Sequence, residues 1–125
     1  MAISPAYVGT PKSSTVSVST ANSNRNGVTG AYGTIHTAGA SGSRIDALSI
    51  AATGTTTAGM IRLFINAAMI KEIPVIAITP SATQPAWNVD ITFEPALVLA
   101  ASAILKANTH NSETFNLTVT NGGDF

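Results

Sequence analysis

Cysteine is missing altogether from the 125 residues. No disulfide can staple the fold and no thiolate can hold a metal, so stability must come from packing or from a partner. Charge is scarce as well. Asp, Glu, Lys and Arg make up 10% of the chain and the formal net charge is zero, against about 25% charged residues in an average domain. Without a basic excess there is no electrostatic capture of nucleic acid or of an anionic membrane. The mutual repulsion that keeps copies apart is missing too, so contact between molecules is favoured. No apolar run approaches the ~18–20 residues of a membrane span; the longest, Pro95–Leu105, is broken by Ser102. Met1-Ala-Ile-Ser-Pro5 has neither the charged start nor the apolar stretch of a signal peptide. The expectation is a soluble chain made in the cytoplasm. Helix signals are weak: no capping box leads into a sustained 3.6-residue stripe.

What the chain does have is alternation. Trp87, Val89, Ile91 and Phe93 fall on every second residue, with Asn88, Asp90 and Thr92 between them. Phe115, Leu117 and Val119 repeat the pattern. A period of two buries one face of a strand and wets the other, as in an antiparallel sheet packed on one side. Further strands are predicted over Thr15–Thr20, Tyr32–Thr37, Arg44–Ala52 and Met60–Ile65, and over Met69–Thr79 as two pieces, with Pro74 placing its surroundings at a strand edge or bend. Ile45 is out of phase with Leu48, Ile50 and Ala52, which predicts a bulge nearby. Leu97–Asn108 reads as two strands around a turn, although its alanine run would also suit a helix. Asn26-Gly27 and Gly39–Gly42 are turn chemistry.

These elements predict an all-β domain: a two-sheet antiparallel sandwich of the jelly-roll type with about eight strands. Residues 1–13 carry Pro5, Gly9 and Pro11 without periodicity and read as an extended N-terminal arm; residues 14–125 form the sandwich. A chain of this length is one domain and buries about two thirds of its unfolded surface.

Candidate chemistry is sparse. His36, on the strand face opposite Ile35, and His110, in a turn, lack the ligand spacing of a zinc site and read as exposed or hydrogen-bonding histidines; His110 is also placed to cap the turn into the last strand with Glu113. Ser41 lies in Gly39-Ala-Ser-Gly-Ser43, which is not a Gly-x-Ser-x-Gly elbow. Asp90 and Glu94 share an outward strand face roughly 13 Å apart, beyond the reach of a glycosidase pair. Asp46 is placed to pair with Arg44 or Arg62. Gly27, Gly30 and Gly33 lack the helix that a phosphate loop needs. Asn116-Leu-Thr118 matches a glycosylation sequon inside a strand, where it carries no weight. Catalytic, cofactor-binding and metal residues are therefore expected to be none, and the protein is not expected to be an enzyme. Trp87, Tyr32 and Tyr7 are the aromatics that a carbohydrate-binding sandwich would use, yet Trp87 falls in phase with the core. A surface of Ser, Thr, Asn, Gly and Ala suits flat contacts that desolvate no charge.

Several phrases resemble small proteins encoded by tailed bacteriophages and prophages. They are Gly42-Ser-Arg-Ile-Asp46, Ala52-Thr-Gly-Thr-Thr-Thr-Ala-Gly-Met-Ile-Arg-Leu-Phe-Ile65, Ile73-Pro-Val75, Ala107-Asn-Thr-His-Asn-Ser-Glu-Thr-Phe-Asn-Leu117 and Gly122-Gly-Asp124. The phrases span roughly Arg44 to the C-terminus. Where the similar sequences have a Pro-Ala-Gly turn after a leucine pair, this chain has Leu99-Ala-Ala-Ser102. The resemblance implies a virion structural protein, most like a capsid decoration (cement) protein. It implies a homotrimer seated on the capsid surface, with the major capsid protein as partner; the arm Met1–Lys12 and the loops at one sandwich end are then expected to contact the shell. A tail, collar, baseplate or fibre component is the alternative, and a carbohydrate-binding module is the reading from another class.

Overall fold

The structure is a computed structural model that describes residues 8–125. Met1–Tyr7, the first part of the predicted arm, lie outside the described residues. Nine strands follow in order: β1 (Thr10–Pro11), β2 (Thr15–Val18), β3 (Gly33–Thr37), β4 (Ser43–Ala52), β5 (Gly59–Ile65), β6 (Ala68–Val75), β7 (Asn88–Leu99), β8 (Ile104–Thr109) and β9 (Phe115–Asp124). Sheet A runs β9–β4–β7, with both β1 and β2 paired to the outer edge of β9; sheet B runs β3–β8–β5–β6. All ladder pairs are antiparallel. From β2 onward the chain changes sheet at every connection except β5–β6. The orders 2-9-4-7 and 3-8-5-6 are those of a jelly roll, two Greek keys folded on each other.

Between the sheets lies one apolar core. Ile45, Leu48 and Ile50 of β4, Ile61 and Leu63 of β5, Leu105 of β8 and Leu117 and Val119 of β9 are fully buried in it. Each such side chain stabilises the fold by about 1.5–3 kcal/mol relative to exposure. Trp87 and Phe115 close one end edge to face, with centroids 5.7 Å apart.

The phase break at Ile45 marks a real irregularity. Pairing steps from Ala47↔Thr92 to Ile45↔Leu97, so four residues of β7 bulge opposite one of β4. The Glu94–Pro95 bond within that stretch is cis. Ile45 and Leu48 thereby both reach the core. The turn after Leu99 closes with Ala103 N–H donating to Ala100 O at 3.0 Å, and Ser102 takes a positive φ of 62°. Around Pro74 the edge reading holds and the bend does not: β6 runs unbroken through Pro74 at the edge of its sheet. It can do so because β6 ends its sheet, where half of the N–H groups face no neighbouring strand and a missing donor is tolerated.

The two outer faces differ. Sheet B is partly covered by the connection of residues 19–32. Gly27 presses against Ala67, where a Cβ would overlap the Ala67 carbonyl, and its φ is +74°. Tyr32 sets its ring against Phe64 at 5.2 Å, and Lys106 Nζ donates to Gly27 O at 2.6 Å. This cover buries Phe64 and Arg62 on what would otherwise be a wet face. Nothing comparable covers sheet A among the described residues.

Candidate interaction surfaces

The open face of sheet A is built by register. Thr15 lies opposite Thr118, Thr118 opposite Ser49, and Ser49 opposite Asp90. One pleat further, Ser17, Asn116, Ala51 and Asn88 form a second row. Strand alternation sends all eight side chains outward, away from Val16, Leu117, Ile50 and Val89. All are short, and one of the eight is charged. Thr15 and Thr118 hydroxyls meet at 2.9 Å. The result is a flat surface that makes hydrogen bonds and holds almost no charge to desolvate.

Most of the described charges are spent on one another. Arg44 pairs with Asp46 at 3.1 Å, one of the two pairings expected for that acid. The other candidate, Arg62, instead donates its Nε to Glu72 at 3.3 Å, and Glu72 also takes Arg25 at 3.1 Å. The Arg25 hydrogen bond, with help from Arg62, holds the Glu72 carboxyl below its ordinary value. Glu113 does not cap a turn with His110. Its Oε2 accepts from the Thr57 N–H and hydroxyl, while His110 is exposed on the neighbouring turn. Asp90 and Glu94 stand exposed along β7.

His36 is the main departure from the sequence reading. It does not sit on a wet face opposite Ile35. A bulge between Thr34 and His36 turns both Ile35 and His36 inward, and His36 is 3% exposed. Its Nε2 lies 2.8 Å from Ser43 Oγ and its Nδ1 lies 2.9 Å from Ser14 Oγ. Ser43 in turn donates to Asp124 Oδ1 at 2.5 Å. With that hydrogen committed, Ser43 Oγ accepts from Nε2–H, and Nδ1 shares a hydrogen bond with the Ser14 hydroxyl. Asp124 further accepts from the Gly39 N–H and binds Lys12 Nζ. Lys12 first, then Ser43, hold the Asp124 carboxyl far below the usual carboxylate range, against a smaller opposing effect of burial. The five side chains Lys12, Asp124, Ser43, His36 and Ser14 thus knot the start of the described chain to its end.

A serine, a histidine and an aspartate meet here. A nucleophilic triad puts the carboxylate on the ring nitrogen remote from the serine. Asp124 Oδ1 accepts from Ser43 and also lies 3.3 Å from His36 Nε2, the nitrogen remote from Ser14; Ser43 is fully buried and Ser14 half-buried. Ser41 lies in the β3–β4 turn, outside the knot. Among the described residues no three His, Asp or Glu side chains converge as a metal site. Trp87 is 7% exposed in the core, and the Tyr32 ring already carries the edge of Phe64 and, at 4.5 Å, the ammonium of Lys106. Tyr7 lies outside the described residues. The sequence held no signal for the knot, because Asp124 reads as part of a polar tail and only the fold brings it to His36.

No family model matches the chain, and neither a curated protein nor a solved structure matches it.

Proposed function

We propose that the protein is a structural component of a tailed-bacteriophage virion, a decoration (cement) protein that seats on the head as a homotrimer and stabilises the shell by bridging major capsid protein subunits. It acts by fitting against other molecules rather than by transforming them. The observation that carries this reading is the outer face of sheet A: two aligned rows of short side chains across four strands, with a single charge. A flat, hydrogen-bonding, weakly charged face is suited to a protein partner. The jelly-roll core beneath it supplies rigidity, and bridging several subunits lets modest contacts add up. The phage-like phrases from Arg44 onward point the same way. The arm that begins at Met1 and the loops at one end of the sandwich supply the remaining grip.

Ser49→Arg places a long charge at the centre of that face. Head binding in a co-sedimentation assay is expected to fall at least about tenfold, while thermal stability stays within about 0.5 kcal/mol of wild type, as for an ordinary surface substitution. Undiminished binding of Ser49→Arg would remove the face from the proposal.

A further inference from the structure

We infer that the end of β9 is an acceptor slot for an extended polypeptide segment, and that Val8–Lys12 of one copy exchanges into the slot of a neighbouring copy. The setting rests on the proposed virion role, in which copies are crowded; the geometry does not.

The slot has a floor made of glycine. A Cβ on Gly123 would overlap the Thr10 carbonyl and lie 2.8 Å from Pro11 Cα, and a Cβ on Gly122 would lie 2.6 Å from the Arg44 carbonyl. Gly123 lets β1 settle this close, and Gly122 lets β4 do so on the other side. Gly9 N–H donates to Asp124 O at 2.8 Å and Lys12 N–H to Gly122 O at 3.0 Å. Thr10 and Pro11 pair with Asp124 and Gly123, and Lys12 Nζ closes on the Asp124 carboxylate. A glycine, a proline without an N–H and a lysine in extended conformation are what the slot reads.

Acceptor and segment are unequal in how firmly they are held. The acceptor stands without the segment: Gly122, Gly123 and Asp124 are paired to Ile45, Arg44 and Ser43 of β4, and Ser43 and Gly39 fix the carboxylate. The segment contributes nothing to the core. Gly9, Thr10, Pro11 and Lys12 are all exposed and Val8 is half-buried. Releasing it loses a few backbone hydrogen bonds of about 1 kcal/mol each and one ion pair whose lysine is half in solvent. Such an opening is local and far cheaper than unfolding. The same contacts re-form in a second copy, with Ser13 as the joint. What favours the closed form is the high effective concentration of a tethered segment, of millimolar order. Dilute copies therefore keep their own segments, and crowded copies trade them.

Val8 and Asn121 line one concavity of about 290 Å³ beside the slot, and the chain has no cysteine to interfere. Full-length Val8→Cys and Asn121→Cys proteins are mixed and treated with a short bis-maleimide. At about 1 mM, mixed dimers are expected to exceed the same-variant dimers that chance collision gives; at about 1 µM they are expected to disappear. The double variant is expected to close within one chain at the lower concentration. Gly123→Ala, whose Cβ would overlap the Thr10 carbonyl and block the slot, is expected to cut the mixed dimer severalfold at the higher concentration. A mixed dimer no more abundant than the same-variant dimers at about 1 mM overturns the exchange, as does a yield indifferent to Gly123→Ala. A protein that exchanges in this assay yet never joins a particle keeps the slot and loses the virion role. One that joins particles without exchanging loses the slot alone.

Discussion

Phe115→Ala is expected to destabilise the domain by about 4 kcal/mol, a large part of the stability of a chain this size. Phe115 is 1% exposed and lies where β9, an inner strand of sheet A, enters the core. Its removal leaves a cavity beside Trp87, because the two rings meet edge to face and the sheets cannot collapse onto the gap. Trp87 is the single tryptophan, so its fluorescence reports the site directly. Urea unfolding of Phe115→Ala should show a lower midpoint and an altered native emission. Phe64→Ala serves as the contrast. Phe64 is as deeply buried but lies on the other side of sheet B, against Tyr32. Its loss should destabilise the protein while leaving the native emission of Trp87 unchanged. An emission shift as large in Phe64→Ala as in Phe115→Ala would mean that the two sites share one packing cluster.

Asp124→Ala is expected to have the second largest effect, about 3 kcal/mol. The substitution strips Lys12, Ser43 and the Gly39 N–H of their shared acceptor. Ser43 and His36 are then left buried with a broken chain of hydrogen bonds. Lys12 is freed, so cleavage by trypsin after Lys12 should accelerate at least about tenfold, following the population of the opened segment. The acid dependence has a definite sign. Asp124 has a native pKa below its ordinary 3.8, so its contribution is complete above that value and is lost as the pH falls beneath it. Glu72, also lowered, acts in the same direction. Unfolding midpoints should therefore decline below about pH 4 in the wild type and decline less in Asp124→Ala. Equal acid sensitivity in the two proteins would show that the carboxylate is not the group responsible.

Much of the architecture was legible because one packed face imposes a period of two. Leu48, Ile50 and Ala52, then Phe115, Leu117 and Val119, announce inward faces that the structure confirms as buried. Even the irregular pairing of β4 with its two neighbours left a trace, as the phase slip at Ile45. Local periodicity carries no information about remote cover. Arg62 and Phe64 sit on the outward face of β5, yet the 19–32 connection arrives from far off in sequence and buries them. His36 escaped for a different reason. A bulge in β3 places two successive residues inside, which breaks the alternation on which the reading of its face relied. The rows on sheet A were visible strand by strand as Ser, Thr and Asn. Their alignment into one surface depends on β2, β9, β4 and β7 lying side by side, an order set by long-range pairing between residues as distant as Thr15 and Thr118.

The most direct test of a surface-fitting role is the stoichiometry of the protein on phage heads. Under the proposed role, heads of a tailed phage carrying the gene, prepared without this protein, are titrated with the full-length chain and the bound copies counted by quantitative mass spectrometry. Saturation at a number set by the capsid lattice, with Ser49→Arg failing to bind, is the expected result. Failure of wild-type protein to bind heads, or saturation at a handful of copies at the tail vertex, would contradict it.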